Sequence, residues 1–311
     1  MWPYIIRRLL WGIPILLGVT FAVFLGLHVM KGSPGAAFMG KAATVEQLEK
    51  FDKDHGFDKS YPGQYLDYLK EVVTGDFGRS WKTDREVSEM ISEGAGKSDS
   101  LTLPALFLTS LLAICLALFA SYFRGKGLDR TIMVLAVLGM SVSFLVYIVV
   151  LQYLLAFLLP IFQIHGYEPG LGERWQVLML PFLIQVIVGV GYDTRFYRSV
   201  FVEEIGKDHV TTAYAKGASK QRVMFIHVLK NALIPIITRV MISIPFLVTG
   251  SLLLEQFFGI PGIGSMMLAA LDTDDFPVIK ALSVLISMLF IVSTILNEVF
   301  YAIVDPRVRL K

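Results

Sequence analysis

Gly94-Ala-Gly-Lys-Ser98 holds the residue types that end a phosphate-binding loop: small glycines, a lysine for phosphate and a hydroxyl for magnesium. The complete loop needs a glycine five residues before Gly96, and Ile91 stands there. No strand pattern precedes it. These five residues are therefore read as a flexible loop, and the chain is not expected to hydrolyse ATP. Cys115 is the single cysteine and lies in an apolar run, so no internal disulfide can form and a buried thiol is expected. The five histidines are scattered without zinc-type spacing, so no metal site is expected. Intramembrane hydrolysis would need a serine or paired aspartates beside a histidine, and the apolar runs offer no such arrangement. A proton-coupled carrier, a competing reading, would want several acids inside the runs. Only Glu298 and Asp193 come near, each close to the end of a run. Arg239 is the one cation well inside an apolar run, which makes it a candidate for a transport path or for pairing. Asp193 and Arg195 are expected to pair with each other.

The elements that would position these residues are membrane-spanning. Of 311 residues, 55% are hydrophobic and 17% charged, below the roughly 25% charge of a soluble domain. The run Leu9 to Met30 would cover about 33 Å as a helix, enough to cross a bilayer. It is too long for the apolar core of a cleaved signal. Further runs are Leu101 to Phe123, Thr131 to Leu159, Gln176 to Gly191, Ala232 to Leu254 and Val278 to Ile303. Residues 31–100 interrupt them with 10 Lys/Arg and 13 Asp/Glu. That block is too charged for lipid and is expected to be a small ordered domain or cap. With both termini inside, the inner segments carry 15 Lys/Arg, while the short outer loops 160–175 and 255–277 carry one. The expected organisation is all-α and polytopic. Residues 1–30 form the first span, 31–100 an extracytoplasmic insert, and 101–311 a five-span core. Net charge is +2, and nothing points to nucleic acid.

The inner stretch 203–230 is long for a connection. Asp208 is expected to N-cap a two-turn helix, Val210 to Lys216, ended by a left-handed cap at Gly217. Ala213, Ala215 and Ala218 are small enough for a partner's backbone to approach. A following segment carries Val223, Ile226 and Leu229 on one face, with Phe225 and Val228, and leads into the fifth run. Pro235 is expected to start or kink that span. Farther on, Gly259-Ile-Pro-Gly-Ile-Gly264 reads as a shaped re-entrant turn, anchored near the interface by Phe257 and Phe258.

This stretch resembles the cytoplasmic coupling loop of ABC-importer permeases, especially the dipeptide, oligopeptide and nickel branch. Ala215, Lys216, Gly217 and Ser219 match its A-K-G-x-S pattern, and His227, Asn231, Ala232, Leu233 and Pro235 match the residues downstream. The first span is similar too, with Ser33 where the branch has aspartate. So are "GDFGRSW" (Gly75 to Trp81), "EQFFGIPGIG" (Glu255 to Gly264) and the tail "VDPRVR". Two stretches depart from the pattern: the segment before the second span, and Ser143 where proline is common.

The resemblance implies a type I importer permease with six spans in a bacterial inner membrane. It implies a second homologous permease, two ATPase subunits that bind ATP and magnesium, and an extracytoplasmic solute-binding protein. This chain would bind no cofactor. Peptide is the expected cargo, with nickel or a metal chelate as the alternative. The implied coupling residues are Asp208, Thr212, Ala213, Ala215, Lys216, Gly217, Ser219, His227, Asn231 and Pro235. Candidates for path or gate are Arg239, Glu255, Phe258, Gly259, Pro261, Gly262 and Gly264. Gly75, Asp76, Gly78, Arg79 and Trp81 are candidates for docking the binding protein.

Overall fold

The computed structural model describes residues 2–31, 34–40, 43–163, 171–250 and 252–304. Ser33, the "DPRVR" tail and residues 164–170 of the third linker lie outside them. Among the described residues every regular element is helical, apart from one isolated bridge between Arg79 and Glu86.

Helix α1 (Trp2–Lys31) is the first span and is followed by three short helices, α2 (Pro34–Met39), α3 (Val45–Asp54) and α4 (Tyr61–Thr74). Thr44 opens α3 with a capping box, its hydroxyl accepting from Gln47 N while the Gln47 side chain accepts from Thr44 N. The described residues between 34 and 74 are thus largely helical. Helix α5 (Val87–Tyr122) then runs unbroken for 36 residues, through the stretch expected to be a loop. Glycine and serine are poor helix formers, but at Gly94 and Ser98 small size is useful. A Cβ on Gly94 would already touch Ile263 N at 3.4 Å. Two small residues four apart let α5 lie directly on a later loop.

The third run is also not a single rod. Helix α6 (Gly127–Ser141) and helix α7 (Phe144–Gln152), which continues as a π-helical turn π1 (Tyr153–Leu158), meet at 90°. Ser143 sits extended at the break, and Tyr147 Oη donates to Gly139 O across it at 2.9 Å. The start of α6 is tied to α8 (Leu171–Ile205) by Arg198, whose Nε and Nη2 donate to Asp129 Oδ1 and Oδ2 at 2.6 and 2.7 Å. This bidentate fork is the strong form of the interaction.

The inner stretch holds α9 (Asp208–Ala215), α10 (Lys220–Arg222) and a second π turn, π2 (Val223–Val228), running straight into α11 (Leu229–Gly250). Two helices, α12 (Leu252–Phe258) and α13 (Ile263–Asp272), meet at 83° before the last helix, α14 (Phe276–Val304). Among the described residues five helices are long and apolar enough to cross a membrane, and the number rises to seven if each bent pair, α6–α7 and α12–α13, is one span. Helices α5 and α8 pack along one another at the centre. Gly189 of α8 comes so close that a Cβ there would lie 2.7 Å from Thr109 Cγ2. Cys115 is exposed on α5, contrary to the expected buried thiol. Glu298 pairs with Arg8 of α1.

Candidate functional site

The inner segment is built as a stiff bracket. Lys207, extended, is the N-cap of α9, and Asp208 is its first helical residue, one place later than expected. Its charge still favours the positive end of the helix. At the other end Gly217 N donates to Tyr214 O at 2.9 Å and Ala218 N to Ala213 O at 3.1 Å. With Gly217 at φ +81°, this is the paired stop that glycine allows without steric cost. Two residues on, Ser219 caps the next segment, its hydroxyl accepting from Arg222 N. The A-K-G-x-S pattern therefore encodes a helix stop and a helix start separated by one residue.

One face of this bracket is sunk into the spans. Val210 and Ala213 of α9 share a core with Val223, Met224 and Val228 of π2, Ala113, Ala117 and Leu118 of α5, Tyr197 and Phe201 of α8, and Ala232 and Ile236 of α11. Ala213 is 6% exposed, so its small size serves this chain's own packing rather than a partner. The buried face of π2 also differs from the expected one. Met224 is buried, while Phe225 and Ile226 are exposed. A π turn carries more residues per turn than an α-helix, so a 3.6-residue count misplaces its inner face.

The outward face is Thr212, Tyr214, Ala215, Lys216 and Gly217, all exposed. The base of the bracket is a polar network. The Glu204 carboxylate, buried at the end of α8, accepts from Lys207 Nζ at 2.5 Å and lies 3.2 Å from His209 Nε2. Asn231 Nδ2, at the start of α11, lies 3.0 Å from the same His209 nitrogen and donates to His227 O at 2.9 Å. The bond to Glu204 holds the Lys207 ammonium protonated above its ordinary range. Glu204 and His209 were not among the expected residues. Glu204 has its partners three and five residues on, at Lys207 and His209, and only the contact of His209 with Asn231 is long-range. Pro235 falls inside α11 rather than at its start.

The second group surrounds Glu255. Its side chain is fully buried, and one carboxylate oxygen accepts from Ser98 Oγ of α5 at 2.6 Å, the other from Ser265 N at 2.9 Å. Ser98 Oγ in turn accepts from Ile263 N at 2.9 Å. Glu255 therefore caps the N-terminus of α13 by accepting from Ser265 N. Gly262 and Gly264 leave room for it. A Cβ on Gly262 would lie 2.5 Å from the Glu255 carboxyl carbon, and one on Gly264 would lie 2.6 Å from Leu252 Cα. Phe258 is fully buried among Leu101, Ile148, Leu178 and Ile184, which corrects its expected place at the interface. Gly259 and Pro261 are the exposed members of the turn.

The third group ties the segment after α4 to the start of α14, beside the same core that holds Ile263. Asp275 accepts from Ser80 Oγ at 2.5 Å and from Trp81 N at 3.1 Å. The Trp81 ring stacks on Phe276 and meets Phe38, Phe51, His55 and Phe57 edge-on. Gly75 follows α4 as its cap, and Asp76 Oδ1 accepts from Gly78 N at 3.0 Å. Arg79, largely exposed, pairs with Asp84 at 3.3 Å. Of the five expected docking residues, Trp81 is spent largely on internal packing, while Asp76 and Arg79 face outward beside a cavity of about 760 Å³. Burial, with Glu71 nearby, pushes the Tyr68 phenol of α4 well above its ordinary range.

In the middle of the bundle, Arg239 pairs with Asp193 at 2.9 Å. Arg195, the expected partner of Asp193, instead points its Nη1 toward Met140 Sδ at 3.7 Å.

Comparison with known families places nearly all of these elements in one context. Residues 113–310 match the model of the binding-protein-dependent transport system inner membrane component. Residues 1–102 match the N-terminal model of the same kind of transport component. The chain is 33% identical over 314 residues to the glutathione transport system permease protein GsiC of Salmonella choleraesuis strain SC-B67, with all of both chains covered. It is 31% identical to GsiC of Escherichia coli strain K12, again over the whole of both. It is 30% identical over 312 residues to the probable peptide ABC transporter permease protein y4tP of Sinorhizobium fredii strain NBRC 101917 / NGR234, covering 99% of this chain and 100% of the relative.

Proposed function

The chain belongs to the family of binding-protein-dependent transport system inner membrane components, and from that membership we propose that it carries peptides delivered by a solute-binding protein. It is the permease subunit of an ABC importer, a multi-pass inner-membrane protein and not an enzyme, since ATP is hydrolysed by partner subunits. The full assembly in this proposal is a second homologous permease, two ATPases that hold ATP and magnesium, and the binding protein outside. Residues 31–100 then form the extracytoplasmic insert, residues 101–311 the core, and 203–230 the cytoplasmic coupling loop.

The observation that carries this reading is the two-sided character of α9. Its inner face is locked to α5, α8 and α11, and its outer face is exposed and ends at a rigid stop. A push on the outer face by closing ATPases cannot be absorbed by the loop. Close-packed cores transmit displacement rather than deform, so the push reaches three spans at once. Peptide as cargo is supported by two relatives, one named for glutathione and one for peptide.

The test is uptake into proteoliposomes holding the whole importer, with ATP inside and loaded binding protein outside. ATP-dependent accumulation of a labelled tripeptide or of glutathione supports the proposal. Accumulation of nickel ions with neither peptide moving would replace it with the metal-importer reading.

A further inference from the structure

The ion pair in the bundle leaves the forked end of its cation without a hydrogen bond among the described residues, although the guanidinium also lies 5.8 Å from the centroid of the Phe196 ring. Arg239, at the middle of α11, donates from Nε to Asp193 Oδ1 of α8 at 2.9 Å. Asp193 is buried, while the Arg239 side chain is 40% exposed. Nε sits behind the end of the guanidinium fork, so its use leaves both terminal nitrogens and their four N–H donors available. Among the described residues these nitrogens make no hydrogen bond. The contrast within the same molecule is Arg198, which spends Nε and Nη2 together on Asp129. A pair that served only to neutralise two charges in lipid would be expected to close in that way.

The pair borders a cavity of about 210 Å³ between α5, α8 and α11, lined also by Thr109, Gln185, Tyr192 and Ser243. Gln185 Oε1 is buried there and accepts no hydrogen bond. The cavity therefore offers a forked cation beside an amide acceptor. That combination complements a carboxylate adjoining an amide N–H, which is the C-terminal end of a peptide. Asp193 lines the same cavity and balances the Arg239 charge, so the preference for a carboxylate comes from the outward N–H donors of the fork and not from net charge. Its volume is below the roughly 300 Å³ of pockets that enclose whole small ligands, so it admits the end of a peptide and not its length.

We infer that Arg239 receives the C-terminal carboxylate of the peptide in transit, and that Gln185 accepts the last amide N–H. Arg239 is the specificity-determining residue and Asp193 a positioning residue, which turns the fork outward. Asp193 also weakens the hold by sharing the cation, as a transport site needs if cargo is to leave. This inference rests on the peptide-importer reading.

The experiment uses the assembled permeases and ATPases in nanodiscs, without binding protein. Saturation-transfer NMR measures the Kd of trialanine and of trialanine amide. Asp193→Asn with Arg239→Gln removes both charges together, so that no buried carboxylate is stranded. That double variant should weaken trialanine about tenfold and leave the amide unchanged, and Arg239→Lys, whose single nitrogen cannot hold Asp193 and fork a carboxylate at once, should weaken trialanine severalfold. Equal Kd for trialanine in wild type and the double variant, or an equal loss for the amide, overturns the inference. ATP-dependent trialanine uptake by the complete wild-type importer separates the two readings. Uptake without a Kd difference sinks only this site, and absence of uptake removes the peptide reading and this site with it.

Discussion

Ser98 of α5 and Glu255 of α12, 157 residues apart, meet oxygen to oxygen at 2.6 Å, and both also receive backbone N–H groups from the start of α13. This contact fixes the re-entrant turn to the second span. At Gly262 the buried carboxyl group occupies the space where a side chain would be, and at Gly264 the Leu252 backbone does.

Gly262→Ala should therefore force apart a contact that has no free volume. The expected cost is about 1–3 kcal/mol, the range for overpacking, and Glu255→Ala should cost a similar amount by removing the acceptor of Ser265 N and of the Ser98 hydroxyl. Thermal unfolding of the purified chain in nanodiscs checks both. An unchanged transition in Gly262→Ala would mean that the turn is looser than described.

The tie at Asp275 makes an independent prediction. Asp275→Ala removes the acceptor for Ser80 Oγ and Trp81 N, leaving buried donors unpaired at about 1–3 kcal/mol each. Residues 34–86 should become sensitive to limited proteolysis in right-side-out vesicles while the spans stay protected. Equal digestion of variant and wild type would contradict this tie.

If the α9 bracket couples to an ATPase as proposed, its two faces should respond differently. Ala213→Arg places a charge in a closed core, where an unpaired ion is strongly destabilising. The variant should fail to accumulate in the membrane. Tyr214→Ala, on the exposed face, should accumulate normally and lower peptide uptake severalfold at unchanged total ATPase content. Immunoblots of membranes and uptake assays separate the two outcomes, and equal behaviour of both variants would erase the distinction.

Gly217→Ala tests the stop itself. A side chain at φ +81° costs about 1–2 kcal/mol, with open space around it. Modest destabilisation with folding retained is expected. Gly217→Glu should likewise reach the membrane but uncouple ATP hydrolysis from uptake, measured as peptide moved per ATP.

How much of this was legible in the sequence depended on range. The spans were readable because each is a long apolar run, and the stop at Gly217 because it follows from local backbone chemistry. Gly94 to Ser98 were misread as loop because helix propensity is local, whereas α5 continues there by packing on Gly262 and Ile263. Ile226 was placed inward and Met224 overlooked because a π turn shifts the helical count. The 90° break after Ser141 interrupts no hydrophobic run, so composition could not show it. Asp275 and Asp193 acquire their partners only through tertiary structure, whereas Glu204 pairs locally with Lys207 and His209. The sequence shows each as an ordinary acid near a turn or helix end.

The central claim is that the exposed face of α9 meets an ATPase subunit inside the cell. Its most direct test is cross-linking from Ala215→Cys, in a chain whose exposed Cys115 is replaced by serine, within the assembled importer. The account predicts a covalent adduct with an ATPase subunit from position 215 and none from Val45→Cys in the outer insert. No ATPase adduct at 215, or labelling of that position by a membrane-impermeant thiol reagent added to intact cells, would contradict it.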